Sequence, residues 1–127
     1  MLIVVDPSSG VPVFRQVMEQ VRFHIASGLL QAGDELPPTR SLSAELGVNP
    51  MTISKAYNLL ERDGVLERRP GKPLVVAALD PEEIELEKLE QLRSNLSGAV
   101  RAARQLRLNP GEAIKVFRQM LEGDKED

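Results

Sequence analysis

Residues 39–62 read TRSLSAELGVNPMTISKAYNLLER, and this stretch decides the fold. Thr39 to Leu46 has the spacing of a two-turn helix that buries Leu42 and Leu46, with Thr39 or Ser41 as its cap. Gly47-Val48 breaks it. Asn49-Pro50 starts a second helix: the Asn side chain accepts a bond from a free N–H, and Pro at the first helical position loses no bonded donor. Ile53, Ala56, Tyr57 and Leu60 then form a buried stripe. Helix, Gly-containing break and helix make a helix-turn-helix pattern. The first helix must cross the second so that Leu42 and Leu46 pack on Ile53 and Tyr57, which leaves the start of the second helix free to enter a major groove. Outside the stripe lie Pro50, Met51, Thr52, Ser54, Lys55, Asn58 and Arg62. They supply short hydrogen-bonding groups near the helix N-terminus, suited to base edges, and a cation one turn on. The helix N-terminus itself favours phosphate.

Downstream, Asp63-Gly64 stops the helix. Val65 to Arg68 and Pro73 to Ala77 read as strands of a hairpin, joined by Arg69-Pro70-Gly71-Lys72. Arg68, Arg69 and Lys72 gather three cations at this turn, as a wing that touches DNA backbone or minor groove would. A plain solvated turn carries the same residue types. Upstream, Leu2 to Val5 is a short β-branched run with the character of a strand, and residues 6–10 are a loop. Pro12 opens a helix whose apolar face is Val13, Phe14, Val17, Met18, Val21 and Ile25; Gly28 ends it. Gly33-Asp34 and Pro37-Pro38 mark a second loop.

After Asp80-Pro81 the composition shifts. Glu82 to Leu108 is rich in Glu, Leu, Arg and Ala, and Leu89, Leu92, Leu96, Ala99, Ala103 and Leu106 alternate three and four apart, a heptad seam. Acidic residues open the helix and Arg101, Arg104 and Arg107 close it, which suits the helix dipole. Asn109-Pro110-Gly111-Glu112 repeats the start signal, with Glu112 placed for a capping box. Ile114, Phe117, Met120 and Leu121 give the last helix its apolar face, and Gly123 and a charged tail follow. The seam and the small residues Gly98, Ala99, Ala102 and Ala103 suit close approach of a second copy; folding back onto the N-terminal part is the other way to cover that face.

Composition narrows the function classes. The 127 residues hold no Cys, one His and no Trp, with a net charge of −3. No Cys excludes disulfides, thiolate zinc and thiol catalysis; one His excludes a multi-His metal site. His24 reads as structural, and Glu82, Glu83 and Glu85 as helix-start charges. No nucleophile–base pair, phosphate loop or cofactor motif is present. The first residues lack the features of a targeting signal, no apolar run is long enough for a membrane span, and the expected compartment is the cytoplasm. The length fits one ordinary domain, or a small domain with an appendage. The acidic net charge argues against nucleic acid, but locally residues 36–79 hold six cations (40, 55, 62, 68, 69, 72) against four acids (45, 61, 63, 67).

The run from Pro12-Val-Phe-Arg-Gln through Gly33-Asp-Glu-Leu-Pro-Pro-Thr-Arg-Ser-Leu-Ser and Gly47-Val-Asn-Pro-Met-Thr-Ile-Ser-Lys-Ala-Tyr to Asp63-Gly-Val-Leu resembles the winged helix-turn-helix domain of GntR-family bacterial transcription regulators, over about residues 11–78. The resemblance implies that Arg40 contacts DNA, that Thr52 with neighbours Met51, Ser54 and Lys55 lies in the groove, and that Gly71 sits at the wing tip. Many members carry a guanine-reading Arg where this chain has Pro50, so base readout falls more on Asn49, Thr52, Lys55 and Arg40. The Asn-Pro-Met-Thr form is similar to the YtrA-type branch, which has a short two-helix C-terminal part.

The expected fold is therefore mainly α with a small β-wing: a winged helix-turn-helix domain over 1–80, then an α-helical hairpin over 81–127 as dimerisation arm. The arm would pair through Leu89, Leu92, Leu96, Ala99, Ala103, Leu106, Phe117 and Met120. The expected function is a homodimeric repressor on a two-fold operator in double-stranded DNA, with no cofactor or metal. No effector-binding residue can be named. A protein-interaction module that uses the winged helix as scaffold and the hairpin as docking arm is the other reading.

Overall fold

In the computed structural model, which describes residues 3–123, the first helix is α1 (Val13–Ala26). It buries Val17, Val21 and Ile25, at the three-to-four spacing expected of one face. Next come α2 (Thr39–Leu46) and α3 (Pro50–Arg62), then β1 (Leu66–Glu67) and β2 (Val75–Val76), then α4 (Pro81–Gln105) and α5 (Pro110–Gly123). The described residues are thus mainly helical, with one small antiparallel sheet pairing Leu66 with Val76 and Glu67 with Val75. Contacts divide the chain into two compact units, Met1–Gln91 and Leu92–Asp127, a division that falls inside α4.

In the first unit, α3 lies against both α1 and α2. Its Ile53, Ala56, Tyr57 and Leu60 are all buried, and Leu42 of α2 is fully enclosed with them, while Leu46 packs at the edge. The turn works as its sequence requires. Gly47 ends α2 at φ +67°, a left-handed conformation that a Cβ disfavours, and the Val48 N–H donates to the Ser43 carbonyl at 3.0 Å. Asn49 Oδ1 then accepts from the Met51 N–H at 2.8 Å and caps α3, with Pro50 opening the helix.

Four expectations need correction. Neither Thr39 nor Ser41 caps α2; the cap residue is Pro38, whose carbonyl takes the Leu42 N–H at 3.0 Å and whose side chain has no acceptor to offer. Residues 3–5 are not a strand (Leu2 lies outside the described residues). Gln16 and Gln20, one turn apart on α1, bond their backbone instead. Gln20 Oε1 accepts the Val4 N–H at 2.8 Å and its Nε2 donates to the Val4 carbonyl; Gln16 does the same for Asp6 at 2.8 and 2.9 Å. The side-chain amides take up the backbone groups of Val4 and Asp6 that face α1, in place of a partner strand, and Ile3 drops into the core. The two wing strands are shorter than expected, yet the loop at residues 33–36 joins them. The Gly33 and Leu36 N–H groups donate to the Val76 and Leu74 carbonyls, each at 2.8 Å, and Glu35 bridges Val75. That segment makes the wing's third edge, which the Gly-Asp and Pro-Pro signals had marked only as loop.

The fourth correction concerns α4, which stops at Gln105 and not Leu108. Arg107 adopts φ +57°, its N–H donates to the Arg104 carbonyl, and the Leu108 N–H donates to the Ala103 carbonyl, both at 3.1 Å. This paired closure is the one Gly normally supplies at a helix end, here with Arg in its place. Leu106 therefore falls outside the heptad helix. The last helix starts as its sequence implies: Glu112 N–H donates to Asn109 Oδ1 at 2.8 Å, and Asn109 Nδ2 donates to Glu112 Oε1 at 2.5 Å.

The two ends of α4 differ. Its first turns belong to the first unit, where Gln91 is buried, bonded to Glu87 at 2.9 Å, and Glu87 lies 3.8 Å from Arg22 of α1. In the second unit no described residue of α5 is buried; Ile114, Met120 and Leu121 are more than half exposed. Leu89 and Leu92 of α4 are exposed as well.

Candidate nucleic-acid interface

The N-terminal half of α3 presents its non-core residues outward. Asn49 and Lys55 are exposed, Met51 is 73% exposed, and Thr52 and Ser54 are half-buried. The Asn49 cap bond occupies Oδ1 and leaves the amide Nδ2 donor for another acceptor.

The cations differ in their surroundings. Lys55 Nζ sits 4.0 Å from the centre of the Phe14 ring on α1, a cation–π contact across two helices. On the wing, Arg68 pairs with Glu61 of α3 at 3.3 Å and Arg69 approaches Glu67 at 3.8 Å. Arg40 on the exposed first turn of α2, and Lys72 beside Gly71 in the wing turn, make no ion pair among the described residues. Gly71 has φ +70°, so the turn takes a shape other residues adopt only with strain.

The wing and α3 enclose a groove of ≈ 270 Å³. Its floor is Leu36, Pro37, Tyr57 and Leu74, and its polar rim is Thr39, Ser54, Asn58, Arg68 and Lys72. Of the residues singled out from sequence, the groove unites Ser54, Arg68 and Lys72. Asn49, Met51 and Thr52 stay at the α3 N-terminus, and Lys55 leans toward α1. Thr39 was read as a cap and Asn58 only as an off-stripe residue; their place beside the wing depends on a fold-back that no local pattern carries.

Tyr57 fixes the groove floor. Its hydroxyl donates to the Pro37 carbonyl at 2.8 Å and ties α3 to the segment entering α2. Burial pushes the phenol far above its usual range, so it stays a neutral donor at any physiological pH. Tyr57→Phe is expected to lower stability by about 1 kcal/mol in urea unfolding followed by circular dichroism, the usual net value of such a bond. An unchanged midpoint would show that the hydroxyl does not anchor the loop. Elsewhere, half-buried His24 meets the Phe23 ring edge-on at 6.5 Å, a packing contact. The described residues contain no cluster that could hold a metal and no helix long and apolar enough to cross a membrane.

Residues 14–76 match the family described as "Bacterial regulatory proteins, gntR family". The chain is 31% identical over 116 residues to the uncharacterized HTH-type transcriptional regulator YhcF of Bacillus subtilis, covering 91% of this chain and 94% of that relative. This chain belongs to the GntR family. Within the family it is similar to the YtrA branch: it is 38% identical over 71 residues to the HTH-type transcriptional repressor YtrA of Bacillus subtilis. That match takes in 56% of this chain and 55% of the relative, so the chain spans about half the length of YtrA. Among solved structures, a GntR family transcriptional regulator from Listeria monocytogenes superposes with a TM-score of 0.75 at 25% identity, covering 91% of this chain and 98% of the other. The AraR DNA-binding domain, solved in complex with operator ORX1, matches with a TM-score of 0.52 at 28% identity over 61% of this chain and 95% of its own. The GntR relatives are transcription regulators and not enzymes.

Proposed function

We propose that this GntR-family chain is a sequence-specific DNA-binding repressor that binds an inverted-repeat operator as a homodimer. The observation that carries the reading is the joint surface of α3 and the wing, where Ser54 of α3 and the wing cations Arg68 and Lys72 line one groove beside the exposed helix start. The likeness to the operator-bound AraR domain and to the YtrA repressor supports it.

In this reading residues 1–80 bind DNA and 81–127 form the dimerisation arm. The start of α3 enters the major groove of one half-site. Thr52, Asn49 and Lys55 meet base edges, and the Met51 side chain suits a thymine methyl. Ser54 bonds phosphate, Arg40 reaches base or phosphate, and Arg68, Arg69 and Lys72 act around Gly71 from the wing. Two copies place their α3 helices about 34 Å apart, one turn of the duplex.

The test is selection of the purified protein's ligands from randomised duplex DNA, with the retained pool sequenced. A two-fold motif is the expected result; a pool without enrichment would refute sequence-specific binding. On the selected duplex, Arg40→Ala is expected to lose about 1–3 kcal/mol and to relax one position of the motif. Lys72→Ala should weaken all sequences alike and reduce the salt slope by about one.

A further inference from the structure

The groove between α3 and the wing has a composition that the roles given above do not account for. Its eleven lining residues include two cations and no carboxylate. Asn58 is exposed and Thr39 half-exposed, and neither side chain has a hydrogen-bond partner among the described residues. Lys72 lines the same groove without an ion pair among those residues, while Arg68 has its charge countered by Glu61. Prolines 37, 38 and 73 add apolar lining beside the floor of Leu36, Tyr57 and Leu74. Neutral donors, a free ammonium and an apolar floor suit a sugar-phosphate unit: the anionic oxygens take the N–H, O–H and N⁺–H groups, and the deoxyribose covers the prolines.

We propose that this groove seats one phosphodiester of the duplex backbone, with the Asn58 amide and the Thr39 hydroxyl donating to its oxygens together with Lys72. The proposal rests on the DNA-binding reading and extends it to two residues that read no base. It places the backbone strand between α3 and the wing, so both elements grip the same phosphate run. The strand is a better occupant than a small free anion because the groove is open and its lining mixes two cations with apolar proline and leucine side chains, which a bare anion would leave uncovered.

Counterion release separates the neutral donors from the cation. A neutral donor adds affinity without displacing a counterion, so its loss leaves the salt slope unchanged. The full-length protein is titrated by fluorescence anisotropy with its selected duplex and with a scrambled duplex of equal length, over a range of KCl. Asn58→Ala and Thr39→Val are each expected to weaken both duplexes by about tenfold, the scale of a hydrogen bond to a charged group, with parallel salt slopes. Asn58→Asp, nearly isosteric but anionic, should lose more than Asn58→Ala. Melting curves that match wild type show that the fold is retained, as the exposure of Asn58 implies. A change in the ratio between selected and scrambled duplex for Asn58→Ala would overturn the proposal, because it would mean base reading. So would wild-type affinity in Asn58→Asp. Absence of duplex binding by the wild-type protein would instead refute the DNA-binding reading itself, which keeps the two failures distinct.

Discussion

Leu42→Ala is expected to lower the unfolding free energy by about 2–5 kcal/mol, the range for truncating a fully enclosed Leu. The position makes the upper part of that range the expectation. α2 has only eight residues, Leu42 is its one fully buried apolar side chain, and Leu46 only edges the core. A helix of two turns has almost no stability of its own, so the contact of Leu42 with the α3 stripe is what holds it folded. The void would open at the crossing of α2 and α3, where Ile53 and Leu60 are also fully buried and have no slack to refill it. With domain stabilities of about 5–15 kcal/mol, the loss removes a large share of the total. It would also displace Arg40, so DNA affinity should fall beyond the effect of Arg40→Ala alone. Urea unfolding followed by circular dichroism measures the first effect, since no Trp is available as a fluorescence probe. A loss under about 1 kcal/mol would mean that α2 is held by something other than Leu42.

The reasons why parts of this fold could be read from sequence are physical. Gly47, Asn49 and Pro50 act within a few residues of themselves, through a left-handed φ, one cap bond and a missing N–H, so the helix-turn-helix was legible residue by residue. The apolar stripes of α1 and α3 were legible because their periodicity is set by the helix alone. Two misreadings are local, the Pro38 cap of α2 and the Arg107 closure of α4; the others are long-range. Residues 3–5 had strand composition, but Gln20 and Gln16 bond the backbone of Val4 and Asp6 from α1, and no local pattern reports a glutamine ten to sixteen residues away. The Gly33–Leu36 edge of the wing pairs with residues about forty positions later. At the interface, charge type was readable and charge availability was not. Lys55 rests on Phe14 and Arg68 on Glu61, contacts that exist only after α1 and the wing pack on α3. Asn58 stood outside the stripe in the sequence, but its place on the rim of the wing groove depends on residues 68–74 of the wing folding back beside α3.

A charge placed in the C-terminal apolar face should have the largest effect on function. Phe117→Asp is expected to shift the solution mass from twice the 14.0 kDa chain mass to the single chain, and to cut affinity for a two-half-site operator by about 10²–10⁴, the avidity lost when two linked modules separate. Phe117 is 38% exposed, and its neighbours on α5, Ile114, Met120 and Leu121, are more exposed still. On α4, Leu89 and Leu92 lie open as well. Exposed apolar side chains are unfavourable in water when they cluster on a helix face, and each contributes about 1.5–3 kcal/mol when fully buried. Under the proposed reading, a second copy of the chain is the occupant, because a two-fold operator requires one. A carboxylate forced into that seam would lose its hydration, a penalty of several kcal/mol. Because the core cluster of Met1–Gln91 is built from residues 3–79, the variant should unfold that core at the wild-type midpoint and still bind a single half-site weakly. Sedimentation equilibrium and anisotropy on one-site and two-site duplexes separate these effects. If Phe117→Asp keeps both the doubled mass and the two-site affinity, the arm does not pair through α5; if the wild-type protein sediments as a single chain, the homodimer reading fails outright. Leu92→Asp, on α4, then locates the seam: dissociation by both variants means that the two helices form one continuous interface, whereas dissociation by Leu92→Asp alone confines pairing to the heptad run that ends at Ala103.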